Sequence, residues 1–265
     1  MMGVLAVVLS AGFGAATAVA GVIYSDTFAR GSSGTPLGLN GTQLNVASGF
    51  TGSGGYGGST TAQWAANGGV TTDGAQAHWY GAEEAYLPFT PQSGCVYTYS
   101  LALNALGTDA NWAAFGFANV NFSNPTTSGN WHEVNAPGPW MLMRGDRTSD
   151  DQIFAGPGTT GGESLTGTSA NSAAGYNTLS WVLDTTGANW TAQFYRGATA
   201  TGSLFTYATP PTINAVGFGS ADAPTSVKNL SLSVNVPEPS TIALLGTGLL
   251  GLLARRRRRA CRPAT

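Results

Sequence analysis

The chain has few charged residues. Asp, Glu, Lys and Arg make up 9% of its 265 residues, against about 25% in an ordinary soluble protein. Lys, Glu and Arg usually populate helix surfaces, so their shortage disfavours a helical body. The chain instead holds many Thr, Val, Tyr, Phe and Trp, which favour strands. Seven Trp and eleven Phe supply enough apolar mass for a folded domain, so the composition predicts an all-β protein.

Basic residues are scarcest outside the C-terminus. Residues 21–235 hold five Lys and Arg against twelve Asp and Glu, a net charge of −7, because six of the eleven basic residues lie in the tail. Proteins that bind nucleic acid carry basic patches that neutralise phosphates. An acidic body without such a patch argues against nucleic acid as a partner.

Three features follow one another at the C-terminus. Pro237, Glu238 and Pro239 come first, an apolar run spans residues 242–254, and the last feature is an arginine cluster: Arg255, Arg256, Arg257, Arg258 and Arg259. The run predicts a single transmembrane helix about 20 Å long. This is shorter than a relaxed span of about 20 residues, so flanking polar residues or a thinned bilayer must supply the difference. Arginines beside a span stay cytoplasmic, which places the body across the inner membrane.

This tail, residues 236–265, resembles the PEP-CTERM sorting signal of bacterial surface and exported proteins. That signal combines a Pro-Glu-Pro motif, a short apolar helix and an arginine cluster. The resemblance implies recognition by an exosortase, a membrane protease that cleaves at the motif and passes the protein to the cell surface or extracellular matrix. The implied partners are exosortase, the secretion machinery and the lipid around the tail helix. An ordinary tail anchor beside a chance Pro-Glu-Pro is the alternative.

Residues 1–20 have the pattern of a secretory signal peptide. An apolar segment ends in Ala18, Val19 and Ala20, small residues that predict cleavage before Gly21. No Lys or Arg precedes the segment, so an uncleaved anchor or a start upstream of Met1 stays open. Cys95 then lies in the exported body and Cys261 beyond the arginines, so the membrane separates them and we expect no disulfide.

The body consists of short alternating segments between turn signals. Residues 96–103 place alternate apolar side chains on one face, and residues 179–183 and 190–195 flank a turn cluster that predicts a hairpin. Further strands are predicted at residues 86–89, 113–118, 140–144, 204–207, 215–218 and 230–234. No segment shows a helical period, so a sandwich or barrel is expected.

The order of several short pieces carries a second resemblance. Residues 25–28 (SDTF), 139–144 (PWMLMR) and 216–219 (VGFG) are similar in order to laminin-G and concanavalin A-like domains. The resemblance implies a jelly-roll β-sandwich over residues 21–235. That fold hosts lectins, hydrolases, lyases and structural modules, so it indicates no activity by itself.

Catalytic groups are sparse in the sequence. A glycosidase needs two carboxyl groups at least about 5 Å apart across the scissile bond. Glu83 and Glu84 are adjacent, so on a strand they point to opposite faces, and a partner such as Glu133 or Asp109 would have to come from the fold. His78 and His132 are isolated and make no zinc site. We predict a non-catalytic structural or carbohydrate-binding domain, with a secreted glycoside hydrolase or polysaccharide lyase as the alternative.

Two sets of residues are candidates for binding. Asp146, Asp150 and Asp151 place three carboxylates within six residues, and such oxygens suit Ca²⁺. The spacing is not that of an EF-hand, and a solvated acidic loop is the competing interpretation. Five tryptophans beside turns or at strand ends are predicted to stack on a polysaccharide: Trp64, Trp79, Trp112, Trp131 and Trp190. Trp140 and Trp181 lie inside apolar strands and are predicted to be core.

Overall fold

The structure is a computed structural model that describes residues 19–42, 50–52, 56–67, 69–108, 110–122, 138–146, 150–156, 162–165, 175–221 and 224–237. Residues Ala20–Val236 form one compact unit. Met1–Val19 and Pro237–Thr265 form another, of which only Val19 and Pro237 are described. In the described ranges the regular elements are strands, and no helix there is long and apolar enough to cross a membrane. The predicted tail helix, the arginine cluster, Glu238, Pro239 and Ala18 lie outside these ranges.

Seventeen strands occur in the described residues, in this order: β1 (Val19–Asp26), β2 (Leu37–Gly38), β3 (Phe50–Gly52), β4 (Ala65–Ala66), β5 (Thr71–Thr72), β6 (Ala77–Trp79), β7 (Glu84–Pro88), β8 (Val96–Ala105), β9 (Trp112–Ala118), β10 (Trp140–Arg144), β11 (Gln152–Phe154), β12 (Glu163–Ser164), β13 (Asn177–Asp184), β14 (Trp190–Arg196), β15 (Thr199–Tyr207), β16 (Ala215–Ala221) and β17 (Thr225–Val236). Each of the nine strand segments predicted from the sequence overlaps one of them, which confirms those predictions.

The strands form two sheets. The ten-stranded sheet has the order β15-β14-β13-β8-β17-β6-β5-β2, with β1 paired to β17 and β3 paired to β1. The seven-stranded sheet has the order β12-β11-β10-β9-β16-β7-β4. Neighbours such as β8 and β17, or β9 and β16, are antiparallel but distant in the chain. Such pairing between distant strands is typical of jelly-roll sandwiches and confirms the predicted fold class.

The main core lies between the two sheets because strand side chains alternate between faces. On β8, Tyr97, Tyr99, Leu101 and Leu103 all point inward and are at most 1% exposed, as their alternation predicts. Trp181 on β13 is also fully buried. Burying a large apolar side chain contributes about 1.5–3 kcal/mol, so this aromatic interior contributes strongly to the stability of the body.

Candidate functional site

Four of the five tryptophans predicted to bind sugar are buried. Trp64 and Trp79 are 1% exposed, Trp112 is 7% exposed and Trp190 is 8% exposed. Stacking on a sugar requires a ring at the surface. The prediction that these four rings lie there is therefore wrong. Trp131 lies outside the described residues. Trp140 and Trp181, predicted to be core, are both fully buried, which confirms that part of the interpretation.

Internal hydrogen bonds explain why these indoles turn inward. The Nε1–H of Trp64 donates to Asp26 Oδ2 at 2.9 Å, and that of Trp79 donates to Ser220 Oγ at 2.5 Å. A buried indole needs a partner for its N–H, and both partners come from other strands or their flanks. Sequence inspection misses this because a position beside a turn does not reveal which side of the strand the ring takes.

The predicted calcium carboxylates are held by protein groups. Asp151 is fully buried, its Oδ2 lies 2.7 Å from Arg196 Nη2, and its Oδ1 accepts the Arg144 N–H at 3.2 Å. Asp150 Oδ2 accepts a hydrogen bond from Ser164 at 2.9 Å. Asp146 is half-buried. Among the described residues no group of three His, Cys, Asp or Glu side chains is arranged to hold a metal ion.

The two adjacent glutamates diverge, as the alternation of a strand requires. Glu84 is 3% exposed and its Oε2 accepts a 2.5 Å hydrogen bond from the Tyr86 hydroxyl. Burial raises the pKa of Glu84, the Tyr86 hydrogen bond lowers it, and the charge of Glu83 raises it further. Glu83 lies over Gly69, where an added Cβ would come within 2.2 Å of its Oε1. Glu133 and Asp109, the proposed catalytic partners, lie outside the described residues.

Glu84 belongs to the outer face of the seven-stranded sheet, where a row of aligned residues crosses five strands. The pairing register places Tyr86, Gly217, Gly116, Trp140 and Phe154 side by side. The two glycines leave room for the flanking rings, since a Cβ on Gly217 would lie 2.5 Å from Tyr86 Cδ1. Trp140 stacks on Phe154 at 4.1 Å. These residues are buried, and they form a second apolar layer that includes Trp112 and Leu142.

An open cleft of about 520 Å³ lies on the outer face of the ten-stranded sheet. Its floor is a row of polar side chains fixed by strand register. His78 on β6 lies opposite Ser226 on β17, and Ser226 lies opposite Asn104 on β8. Their chain neighbours point inward and are buried. We call His78, Asn104 and Ser226, together with Asp73, Gln76 and Tyr176, the cleft floor.

The β5–β6 hairpin orients the acidic end of the floor. Asp73 Oδ1 accepts the N–H groups of Ala75 at 3.0 Å and Gln76 at 3.1 Å. Its Oδ2 accepts the Gln76 amide at 3.0 Å and lies 3.8 Å from His78 Nδ1. The His78 Nε2 is 3.1 Å from Thr71 Oγ1. The hairpin turn therefore fixes an acid, an amide and an imidazole in one polar group.

Tyr176, just before β13, closes the opposite side of the floor. Its hydroxyl is hydrogen-bonded to Ser226 Oγ at 2.7 Å and to Gln76 Oε1. The Lys228 ammonium lies 4.2 Å from the centre of its ring. Burial chiefly raises the pKa of Tyr176, its hydrogen bond to Ser226 lowers it, and the charge of Asp73 adds to the rise. The phenol therefore stays neutral and serves as a hydrogen-bonding group.

The rim of the cleft is apolar and exposed. Tyr80, directly after β6, is 74% exposed, more than any other large apolar side chain described here. Leu106 is 37% exposed, and Pro36, Pro224 and the buried Trp79 also line the cleft. A flat ring beside amide, carboxyl, imidazole and hydroxyl groups offers one apolar surface and several hydrogen-bond donors and acceptors. Sequence reasoning did not single out Tyr80, although the Asp-Gly turn signal at residues 73–74 indicates the hairpin before it.

The comparisons with known proteins agree with the tail and with the sandwich. The model of the PEP-CTERM protein-sorting motif matches residues 235–259. This motif marks proteins that are exported, held transiently in the membrane, processed by exosortase and delivered to the cell surface. The predicted sorting signal and localisation are thereby confirmed. A comparison with curated protein sequences finds no match.

Solved structures resemble the body at low sequence identity. The endo-1,3-beta-glucanase of Streptomyces sioyaensis is 13% identical, with 82% of this chain and 97% of that chain covered and a TM-score of 0.52. A galectin-like protein of unknown function from Bacillus subtilis is 11% identical over 67% and 90% of the two chains, with a TM-score of 0.45. A Bauhinia forficata lectin in complex with GalNAc is 7% identical over 77% and 100%, with a TM-score of 0.44. At 13% identity and a TM-score of 0.52, the likeness to the glucanase shows the fold alone.

Proposed function

We propose that the body is a non-catalytic carbohydrate-binding domain that attaches to polysaccharide of the cell envelope or extracellular matrix. The observation that carries this proposal is the cleft, in which the exposed Tyr80 ring stands beside a floor of polar side chains. A sugar ring has an apolar C–H face and a circle of hydroxyl groups. An aromatic face suits the first, and amide, carboxyl and imidazole groups suit the second.

The position of the cleft on the body supports its use by a tethered protein. Ser226 and Pro224 lie at the start of β17, whereas the chain leaves the body after Val236 at the other end of the same strand. Twelve residues at about 3.3 Å each separate these ends by roughly 35–40 Å. Gly21 on β1 lies against Val234. Gly21 and Val236, near the two ends of the body, therefore lie at the end of β17 that is opposite the cleft.

The proposal is tested by binding measurements on the full chain in detergent. A panel of neutral and acidic polysaccharides is screened by affinity electrophoresis, and the best ligand is titrated by calorimetry. Tyr80→Ala removes the stacking surface, so we expect about tenfold weaker binding. Tyr56→Ala, which truncates another exposed tyrosine outside the cleft, is the matched control and keeps wild-type affinity. Equal affinity of Tyr80→Ala and Tyr56→Ala would refute the cleft as the binding site.

The rival function is hydrolysis or elimination of a polysaccharide on the same fold, and Glu84 is the residue that favours it. Burial raises the pKa of this carboxyl. A raised pKa favours the protonated form, which is the form that a general acid needs. The carboxylate whose charge acts on it is the adjacent Glu83, not a group across a substrate. Reducing ends or unsaturated products released by wild type, and lost in Glu84→Gln, would replace the non-catalytic proposal with this one.

A further inference from the structure

We infer that the cleft takes a neutral polysaccharide and rejects polymers of uronic acids or sulfated sugars. This inference rests on the proposed function, because it names the ligand class of the same cleft. Two observations support it: the cleft and the body are acidic, and the described basic side chains already interact with other groups of the protein.

The charged group that forms part of the floor is an acid. The Asp73 side chain is 18% exposed, and its charge contributes to the raised pKa of Tyr176 on the other side of the floor. Its negative charge therefore lies in the polar floor that a sugar would contact. A second carboxylate or a sulfate placed there is repelled at short range. The body as a whole adds to this repulsion, since residues 21–235 carry a net charge of −7.

Two arginines of the body are committed to buried acids. Arg30 Nη2 lies 2.5 Å from Asp26 Oδ2, and this pair has almost no exposed surface. Arg196 Nη2 lies 2.7 Å from the fully buried Asp151. Sites for anionic sugars usually rely on arginine, because its planar fork pairs with a carboxylate or sulfate through two hydrogen bonds. Neither of these guanidinium groups lines the cleft.

The other two described cations also have internal partners. Arg144 Nη2 donates to Gln152 Oε1 at 2.8 Å on the seven-stranded sheet. Lys228, two residues beyond Ser226 on β17, places its ammonium over the Tyr176 ring at 4.2 Å. The ammonium thus stabilises Tyr176 in the cleft floor, and Lys228 is not one of the residues that line the cleft. Arg147 lies outside the described residues.

The hydroxyl groups of a neutral sugar meet no such penalty. The Asp73 carboxylate accepts hydrogen bonds from hydroxyl donors, and the Gln76 and Asn104 amides both donate and accept. Tyr80 provides the apolar face. A neutral ligand therefore finds hydrogen-bonding groups in the floor, whereas an anionic one places its charge beside Asp73 in a cleft that no described arginine or lysine lines.

The experiment compares one polymer in two charge states. The neutral polysaccharide that binds best in the screen is oxidised at C6, which converts primary alcohols into carboxylates and keeps the backbone unchanged. Calorimetry on the full chain at low salt is expected to show at least tenfold weaker binding of the oxidised polymer. Raising the salt concentration should reduce the difference in affinity between the two polymers, since exposed charges are screened. Asp73→Asn keeps the turn acceptor and removes the charge, so it should narrow the difference as well.

Two outcomes separate this inference from the proposed function. If the oxidised or another acidic polymer binds as tightly as the neutral one, or more tightly, the neutral-ligand inference is overturned while carbohydrate binding stands. If no polymer of the panel binds, the proposed function fails and this inference fails with it. A preference for the neutral polymer that is identical in wild type and Asp73→Asn would show that the Asp73 charge does not repel anionic sugars, and the inference would be overturned.

Discussion

The buried ion pair between Asp26 and Arg30 predicts a large loss of stability when one charge is removed. Asp26 is fully buried and accepts hydrogen bonds from Arg30 Nη2 at 2.5 Å, Trp64 Nε1 at 2.9 Å and the Phe28 N–H at 2.7 Å. Burial raises its pKa, although Arg30 and these hydrogen bonds lower it. The pair therefore adds little net stability, because the cost of burying the charge offsets its attraction.

Asp26→Asn keeps the size of the side chain and removes its charge. The guanidinium of Arg30, a residue that is 5% exposed, then loses the charge of Asp26, and breaking a buried pair in this way costs about 3–5 kcal/mol. For a body of this size each kcal/mol lowers the melting temperature by roughly 2–4 °C. We therefore expect a decrease on the order of 10 °C, together with a clearly lower urea midpoint.

Urea unfolding of the full chain, followed by tryptophan fluorescence, measures this effect. Asp184→Asn, at the end of β13 where the side-chain oxygen accepts hydrogen bonds from Thr186, is the matched control and should change stability by less than about 0.5 kcal/mol. A double variant, Asp26→Asn with Arg30→Met, removes both charges, keeps the Asn oxygen as an acceptor and should recover part of the loss. The reasoning is refuted if Asp26→Asn costs less than about 1 kcal/mol, or if the double variant is less stable than the single one.

Two further predictions concern the outer face of the seven-stranded sheet. Gly217→Ala brings a Cβ within 2.5 Å of both Ala85 O and Tyr86 Cδ1 and should lower the free energy of unfolding in urea by about 1–3 kcal/mol. Gly38→Ala, where an added Cβ has no atom within 4 Å, is the control and should leave stability unchanged. Equal stability of the two variants would show that Gly217 is not crowded. Burial raises the pKa of Glu84 above its ordinary 4.5. Between the ordinary and the raised pKa, the native state holds a proton that the unfolded state releases, so stability falls as pH rises through that interval. Relative to Glu84→Gln, wild type should thus lose stability between pH 4 and pH 8, and a relative gain over this range would contradict the assignment.

The strands and the tail could be predicted because their signals are local. Alternation on β8 places Tyr97 to Leu103 in the core whatever the partner strands are, since a strand with one buried face must follow that pattern. The sorting tail is likewise contiguous, so its three parts are visible in order. Trp64 and Trp79 could not be placed in the same way. The indole N–H of each ring donates to a residue of another segment, Asp26 or Ser220. Which segment lies beside the ring is determined only by the tertiary fold.

The cleft shows the same division between local and distant information. The Asp-Gly turn at residues 73–74 is visible in the sequence, and so is the acidity of the body. Nothing local connects His78 with Ser226 or Asn104, which belong to strands far apart in the chain. Their alignment depends on the antiparallel register of β17 between β6 and β8, and a slip of one residue would turn these side chains into the core.

The amino-acid sequence by itself determined the all-β class, the positions of most long strands, the negative charge of the body and the sorting motif at residues 235–259. Each of these depends on composition or on neighbours within a few residues. Only the tertiary structure decided that most of the tryptophans are core, that Glu84 is buried against Tyr86, and that Tyr80 stands beside a polar cleft. The physical reason is that pairing between distant strands, rather than any local pattern, determines which side chains share a surface.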